Sequence, residues 1–117
     1  MQKKLRLRNR ADFSRVYRHG RRSFANHQFV VYWFQKKDIA EFRVGISVSK
    51  KVGNAVVRNR MRRVVKEIVR HHAHEIVPHI DMVFIVRKGA LSLPYKDLEK
   101  SILHVLRKSS LLKRPGR

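Results

Sequence analysis

The sequence predicts an α/β fold in the order α-β-β-β-α-β-α, and three observations carry that prediction. The chain has 117 residues, of which 43% are hydrophobic, enough for one compact domain around a core. Residues 55–71 repeat apolar side chains at the helical period, with Val57, Met61, Val64, Val65, Ile68 and Val69 on one side. Residues 28–35 and 80–86 are β-branched and aromatic runs of strand length.

Phe13, Val16 and Tyr17 sit at helical spacing between Asp12 and the stop at His19-Gly20, so residues 11–18 read as a short helix. Residues 22–24 open a strand. Residues 28–35, with Val30, Val31, Tyr32, Trp33 and Phe34, read as a strand buried on both faces, and 36–41 as a polar turn. In residues 42–49, Val44, Ile46 and Val48 alternate with Arg43, Gly45, Ser47 and Ser49. That alternation gives a strand with one packed face and one thin, polar face. The basic turn KKVGN (50–54) leads into the 55–71 helix, which Asn54 is placed to cap. Residues 72–78 read as a short extra turn and 80–86 as a strand. Residues 93–112 read as the last helix, with Pro94 near its start and Leu98, Ile102, Val105 and Leu106 on its apolar side. Residues 113–117 read as a frayed basic tail.

Lys and Arg number 29 against 8 Asp and Glu, a formal net charge of +21. Self-repulsion of this size opposes folding, so a polyanion is the expected companion: nucleic acid, an anionic membrane or an acidic protein. The charge is clustered. Residues 1–22 hold nine basic side chains and one acid, residues 50–70 eight and one, and residues 107–117 five and none. Such blocks suggest a footprint for a partner. The absence of cysteine excludes disulfides, thiol catalysis and cysteine-based zinc sites. No segment approaches the roughly 18 apolar residues of a membrane span, and no apolar stretch follows the charged start. A soluble, cytoplasmic chain is expected.

The sharpest feature is SKKVGNAVVRNRMRR (49–63). Arg58, Arg60, Arg62 and Arg63 fall in the first turns of a helix, where free N–H groups and the dipole also favour anions. Guanidinium forks donate paired hydrogen bonds to phosphate, so this block reads as a contact for a nucleic-acid backbone. Asn59 could reach a ribose or base edge. Phe13 and Tyr17 share a helical face, and Tyr32 lies on the next long strand. Aromatics interleaved with cations can stack single-stranded bases, but spacing alone favours plain docking of the helix on the sheet. His71, His72 and His74 cluster without a convincing metal spacing. The carboxylates are dispersed, with no pair suited to a metal-dependent nuclease.

The run VGISVSKKVGNAVVRNRMRR (44–63), with Arg58-Asn59-Arg60 at its heart, resembles the signature of the bacterial ribonuclease P protein subunit. The stretches DFSRVYRHG (12–20), NHQFVVY (26–32) and YKDLEKSILHVLRK (95–108) also resemble that family, in matching order over nearly the whole chain. The resemblance implies a two-layer α+β sandwich with a mixed four-stranded sheet and a left-handed β-α-β crossover. It implies a non-catalytic subunit of an endoribonuclease that removes the 5′ leader of precursor tRNA. The active site and its Mg²⁺ would lie in the catalytic P RNA, with no catalytic or metal-binding residue in this chain. Partners would be P RNA and precursor tRNA, with neither membrane nor DNA. Lys50, Lys51, Asn54, Arg58, Asn59, Arg60, Arg62 and Arg63 would face the catalytic RNA. Phe13, Tyr17, Tyr32 and Ser47 would line a cleft for the leader. A family metal loop would fall at 36–41, where only Asp38 and Glu41 are available. A ribosomal or other tRNA-binding protein, a membrane-active protein and a protein-only nuclease are the rival readings.

Overall fold

The computed structural model describes residues 5–7, 10–19 and 22–113. The elements are α1 (Arg10–His19), β1 (Arg22–Ala25), β2 (Phe29–Gln35), β3 (Arg43–Ser47), α2 (Ala55–His71), β4 (Ile80–Val86) and α3 (Tyr95–Lys108), with 3₁₀ turns at Ala73–Glu75 and Lys88–Ala90. This is the predicted order. The four strands form one mixed sheet in the spatial order β1-β2-β4-β3. β1 with β2 and β2 with β4 are antiparallel, and β3 with β4 is parallel across the connection through α2.

Side-chain alternation gives the sheet two different faces. Phe29, Val31, Val44, Ile46, Met82, Phe84 and Val86 join Met61, Val65, Ile68 and Val69 of α2 and Leu98, Ile102, Val105 and Leu106 of α3 in the main core. The opposite face carries a smaller cluster of Leu7, Val16 and Val83, with Phe13, Tyr32, Phe34 and Ile85 packed on it. β2 is therefore fully buried only at Phe29 and Val31 on the α2–α3 side and half-buried at Trp33 on that side and at Tyr32 and Phe34 on the other, a correction to a strand buried on both faces. β3 would be a bare edge, the feature that invites foreign pairing. Residues 5–7 cover it through an Arg6–Val44 bridge and a Leu7 N–H to Val44 C=O bond of 3.0 Å.

Polar joints fix the layers. Arg43 grips the fully buried carboxylate of Asp81 in a two-pronged pair, 2.8 Å from Nε and 2.7 Å from Nη2, and so clamps β3 to β4. The Asn26 side-chain oxygen accepts the Gln28 and Phe29 N–H groups, while its amide donates to Ser101 Oγ of α3 at 2.9 Å. That ties the β1–β2 turn to the helical layer.

The last helix is shorter than periodicity suggests. Leu93 belongs to a turn closed on Ala90 C=O, and Pro94 is the N-cap. At the other end Leu111 N–H bonds Leu106 C=O and Ser110 N–H bonds Arg107 C=O, the two closures of a Schellman motif. Ser110 takes the left-handed position there, at φ 60°, where glycine is the usual residue. Lys113 is held by its N–H to Glu75 C=O at 2.7 Å, so fraying does not begin there; residues 114–117 of the expected tail lie outside the described residues.

His72, at the end of α2, sits between two carboxylates. Its Nδ1 meets Glu75 and its Nε2 meets Glu99 of α3, 2.8 Å away. Burial works against the charged imidazole, but the bonds to Glu75 and Glu99 outweigh it and hold the His72 pKa above the ordinary histidine value. A raised native pKa means stability that is full below the unfolded value of about 6.5 and is lost as pH climbs through the native value. Thermal melts from about pH 6 to about pH 8 should therefore show a falling Tm, and His72→Gln should flatten the fall. An equal fall in the variant would place its origin elsewhere.

Candidate nucleic-acid interface

α2 starts where the sequence places it. Asn54 is extended and its side-chain oxygen accepts the Val57 N–H at 3.0 Å, satisfying one of the helix's orphan donors. Gly53 is demanded by space, since a Cβ there would lie 2.7 Å from Val57 Cγ1. This turn leaves Lys50 and Lys51 exposed just ahead of a helix N-terminus whose first turn holds no acid. Met61, Val65, Ile68 and Val69 are buried, which forces the intervening cations outward. Arg60 and Arg63 are exposed, and Arg58 and Arg62 half-buried.

Among the described residues, none of Lys50, Lys51, Arg58, Arg60, Arg62 or Arg63 is ion-paired with a carboxylate. The Arg58 Nε is buried with no hydrogen-bond partner, a donor the fold leaves unused. Asn59 is exposed, and its side-chain oxygen accepts from Arg62 Nη1 at 2.8 Å. Its role is thus partly to steer Arg62, in addition to the RNA contact expected of it. Asn54 acts as a cap first.

The aromatic residues gather under α1. Tyr17 and Tyr32 pack edge to face, with ring centres 5.6 Å apart and planes at 78°. Burial pushes the Tyr17 hydroxyl pKa up, against a hydrogen bond from Ser47, so Tyr17, Tyr32 and Ser47 form one group. Tyr17 is nevertheless 42% exposed. Arg10 and Arg18 flank it on the outer surface of α1. Phe13 behaves differently. Its ring lies against Gly45, where any Cβ would collide with it, and packs on the Leu7, Val16 and Val83 cluster. The room expected over the thin face of β3 is therefore filled at Gly45 by Phe13, which docks the helix.

The two regions meet at the covered edge of β3. A cleft of about 430 Å³ is lined by Phe13 of α1, Gly45 of β3, Arg62 and Lys66 of α2, and Arg6. The sequence reading singles out neither Arg6 nor Lys66. Lys66 lies one turn beyond Arg62 and shares its face, so spacing held a signal for it. Arg6 arrives through pairing of residues 5–7 with β3, which no local pattern encodes.

Most of the acids are engaged by partners within the chain. Asp38 of the 36–41 loop pairs with Lys36 at 3.0 Å, and Glu41 also has a partner. Glu67 pairs with Arg70 at 2.6 Å and with His71 at 2.9 Å. No group of three or more metal-ligating side chains occurs among the described residues. No helix among the described residues is long and apolar enough to cross a membrane.

Comparison with known proteins gives a consistent result. A family model described as Ribonuclease P matches residues 1–110. The ribonuclease P protein component of Geobacillus thermodenitrificans is 44% identical over 117 residues, covering 100% of this chain and 96% of the relative. That of Listeria innocua is 42% identical over 113 residues, covering 97% of this chain and 94% of the relative. The solved RNase P protein of Staphylococcus aureus superposes with a TM-score of 0.86 at 40% identity, over 93% of this chain and 98% of that one.

The Phe13–Gly45 contact can be tested apart from any partner. Gly45→Ala should displace the ring from β3 and lower stability by about 1–3 kcal/mol, the usual effect of overpacking. Denaturant unfolding measures it. A variant as stable as the parent would show that Phe13 does not dock α1 at this point.

Proposed function

The chain belongs to the ribonuclease P protein family, as a protein component whose partner RNA carries the catalysis, and from that premise we propose how its surface divides the work. The Lys50–Arg63 block contacts the catalytic P RNA, and the Tyr17–Tyr32–Ser47 group holds the single-stranded 5′ leader of precursor tRNA. The observation that carries this reading is the set of six cations on and before α2 with no carboxylate partner among the described residues. A folded surface keeps such charge unpaired when an anion is its usual neighbour.

The chemistry then follows from position. Guanidinium groups at the start of α2 meet phosphates in pairs of charge-assisted hydrogen bonds. Fixed cations at an RNA–RNA contact offset phosphate repulsion that Mg²⁺ would otherwise screen, so the assembled enzyme works at lower Mg²⁺ than the RNA alone. The metal belongs to the RNA. Tyr17, exposed and flanked by Arg10 and Arg18, offers a ring for stacking and cations for the phosphates on either side. Phe13 supports it from beneath. The shared cleft at Phe13, Arg62 and Lys66 lets a leader run from the tyrosines toward the RNA-bound helix.

The two contacts should separate experimentally. Tyr17→Ala should weaken precursor-tRNA binding by the assembled enzyme by about 1–3 kcal/mol, the value of one stacked base. It should leave mature-tRNA binding and assembly with P RNA near parent values. Arg60→Ala should weaken assembly by about 1–3 kcal/mol instead. Binding assays with both tRNAs and with P RNA read each outcome. Equal loss on precursor and mature tRNA for Tyr17→Ala would remove the leader assignment.

A further inference from the structure

A second cleft lies on the α2–α3 side of the sheet. It has a volume of about 530 Å³, the size of a pocket for one small ligand, and opens between the β1–β2 edge and the end of α3. Arg22 and Trp33, directly opposite each other across β1 and β2, line one side. Pro78, Ser109 and Leu111 line the other. Tyr32 and Trp33 are neighbours on one strand, so their side chains leave opposite faces of the sheet. This cleft is therefore separate from the tyrosine group.

One polar group here is left without a partner by the fold. Ser109 is 9% exposed, and its Oγ is buried without a hydrogen-bond partner. Buried hydroxyls are normally paired. The next residue, Ser110, holds a left-handed backbone where glycine would be strain-free, and so keeps Ser109 and Leu111 at the cleft wall. Arg22 is exposed and has no described carboxylate partner, and no acidic residue lines the cleft.

We propose that this cleft is a nucleotide site, in which a base lies against the Trp33 indole, the Ser109 hydroxyl bonds its edge or sugar, and the phosphate rests on Arg22. An aromatic wall beside a cation, with an unused hydroxyl across the cleft, matches those three parts of a nucleotide. An apolar ligand would leave the cation and hydroxyl unanswered, and an acidic peptide would not use the indole. The same chemistry is presented by an unstacked nucleotide of a bound RNA and by a free mononucleotide.

Trp33 is the single tryptophan of the chain, so intrinsic fluorescence reads the site directly. The full chain is titrated with adenosine 5′-monophosphate, adenosine and inorganic phosphate. The monophosphate should quench Trp33 emission saturably, adenosine more weakly, and phosphate not at all. Arg22→Gln should raise the Kd for the monophosphate about fivefold or more, as loss of a charge-assisted bond does, and leave adenosine unchanged. Ser109→Ala should weaken both. A short single-stranded oligoadenylate that displaces the monophosphate supports an RNA nucleotide as occupant, and one that fails to displace it supports a free nucleotide. Absence of saturable quenching by about 10 mM monophosphate, well above the range of specific pockets, would overturn the proposal. So would quenching that persists unchanged in both variants.

Discussion

A net charge of +21 on a chain of 117 residues is the constraint from which the rest of this structure follows. Eight carboxylates cannot neutralise it, so their placement decides where repulsion remains. Three are set at joints. Asp81 locks β3 to β4 through Arg43, and Glu75 and Glu99 join the end of α2 to α3 through His72. Glu67 takes Arg70 and His71 in the last turns of α2. The first turns of α2 receive none, and the repulsion collects there. A bound polyanion relieves it, so RNA binding and folding are linked, and each stabilises the other.

The same arrangement explains how a chain this short presents two surfaces. β3 is an edge strand packed against α2, α1 lies over β2 and β4 and reaches β3 through Phe13, and residues 5–7 cover the free edge of β3. Gly45 allows the Phe13 ring to lie directly on the strand, which brings α1 close to the sheet. Tyr17 then stands one turn further along, against Tyr32 and Ser47, and partly in solvent. Arg62 and Lys66 reach the same edge from α2. Cations of α2 and an aromatic ring of α1 therefore meet at one edge of the sheet.

Local chemistry made much of this legible. α2 was readable because its apolar residues keep the helical period for four turns and Asn54 supplies an unambiguous cap. β4 was readable because seven successive residues, from Ile80 to Val86, are nearly all apolar. Long-range facts were not. The end of α3 at Lys108 rests on Ser110 adopting a conformation that serine seldom takes, so periodicity overran it. The His72 cluster depends on Glu99, twenty-seven residues away and on another helix. Phe13 shows the finer limit. Its position on a shared face with Tyr17 was visible, but only the packed Gly45 shows that one ring docks while the other remains exposed.

The central claim is that the unpaired cations on and before α2 meet phosphates of the catalytic RNA. Its most direct measurement is the affinity of the full chain for P RNA across a salt series. Six phosphate contacts predict a log–log slope of about −4 to −5, and Arg60→Gln should reduce its magnitude by about 1. A slope near zero, or one unchanged by Arg60→Gln, would contradict the account.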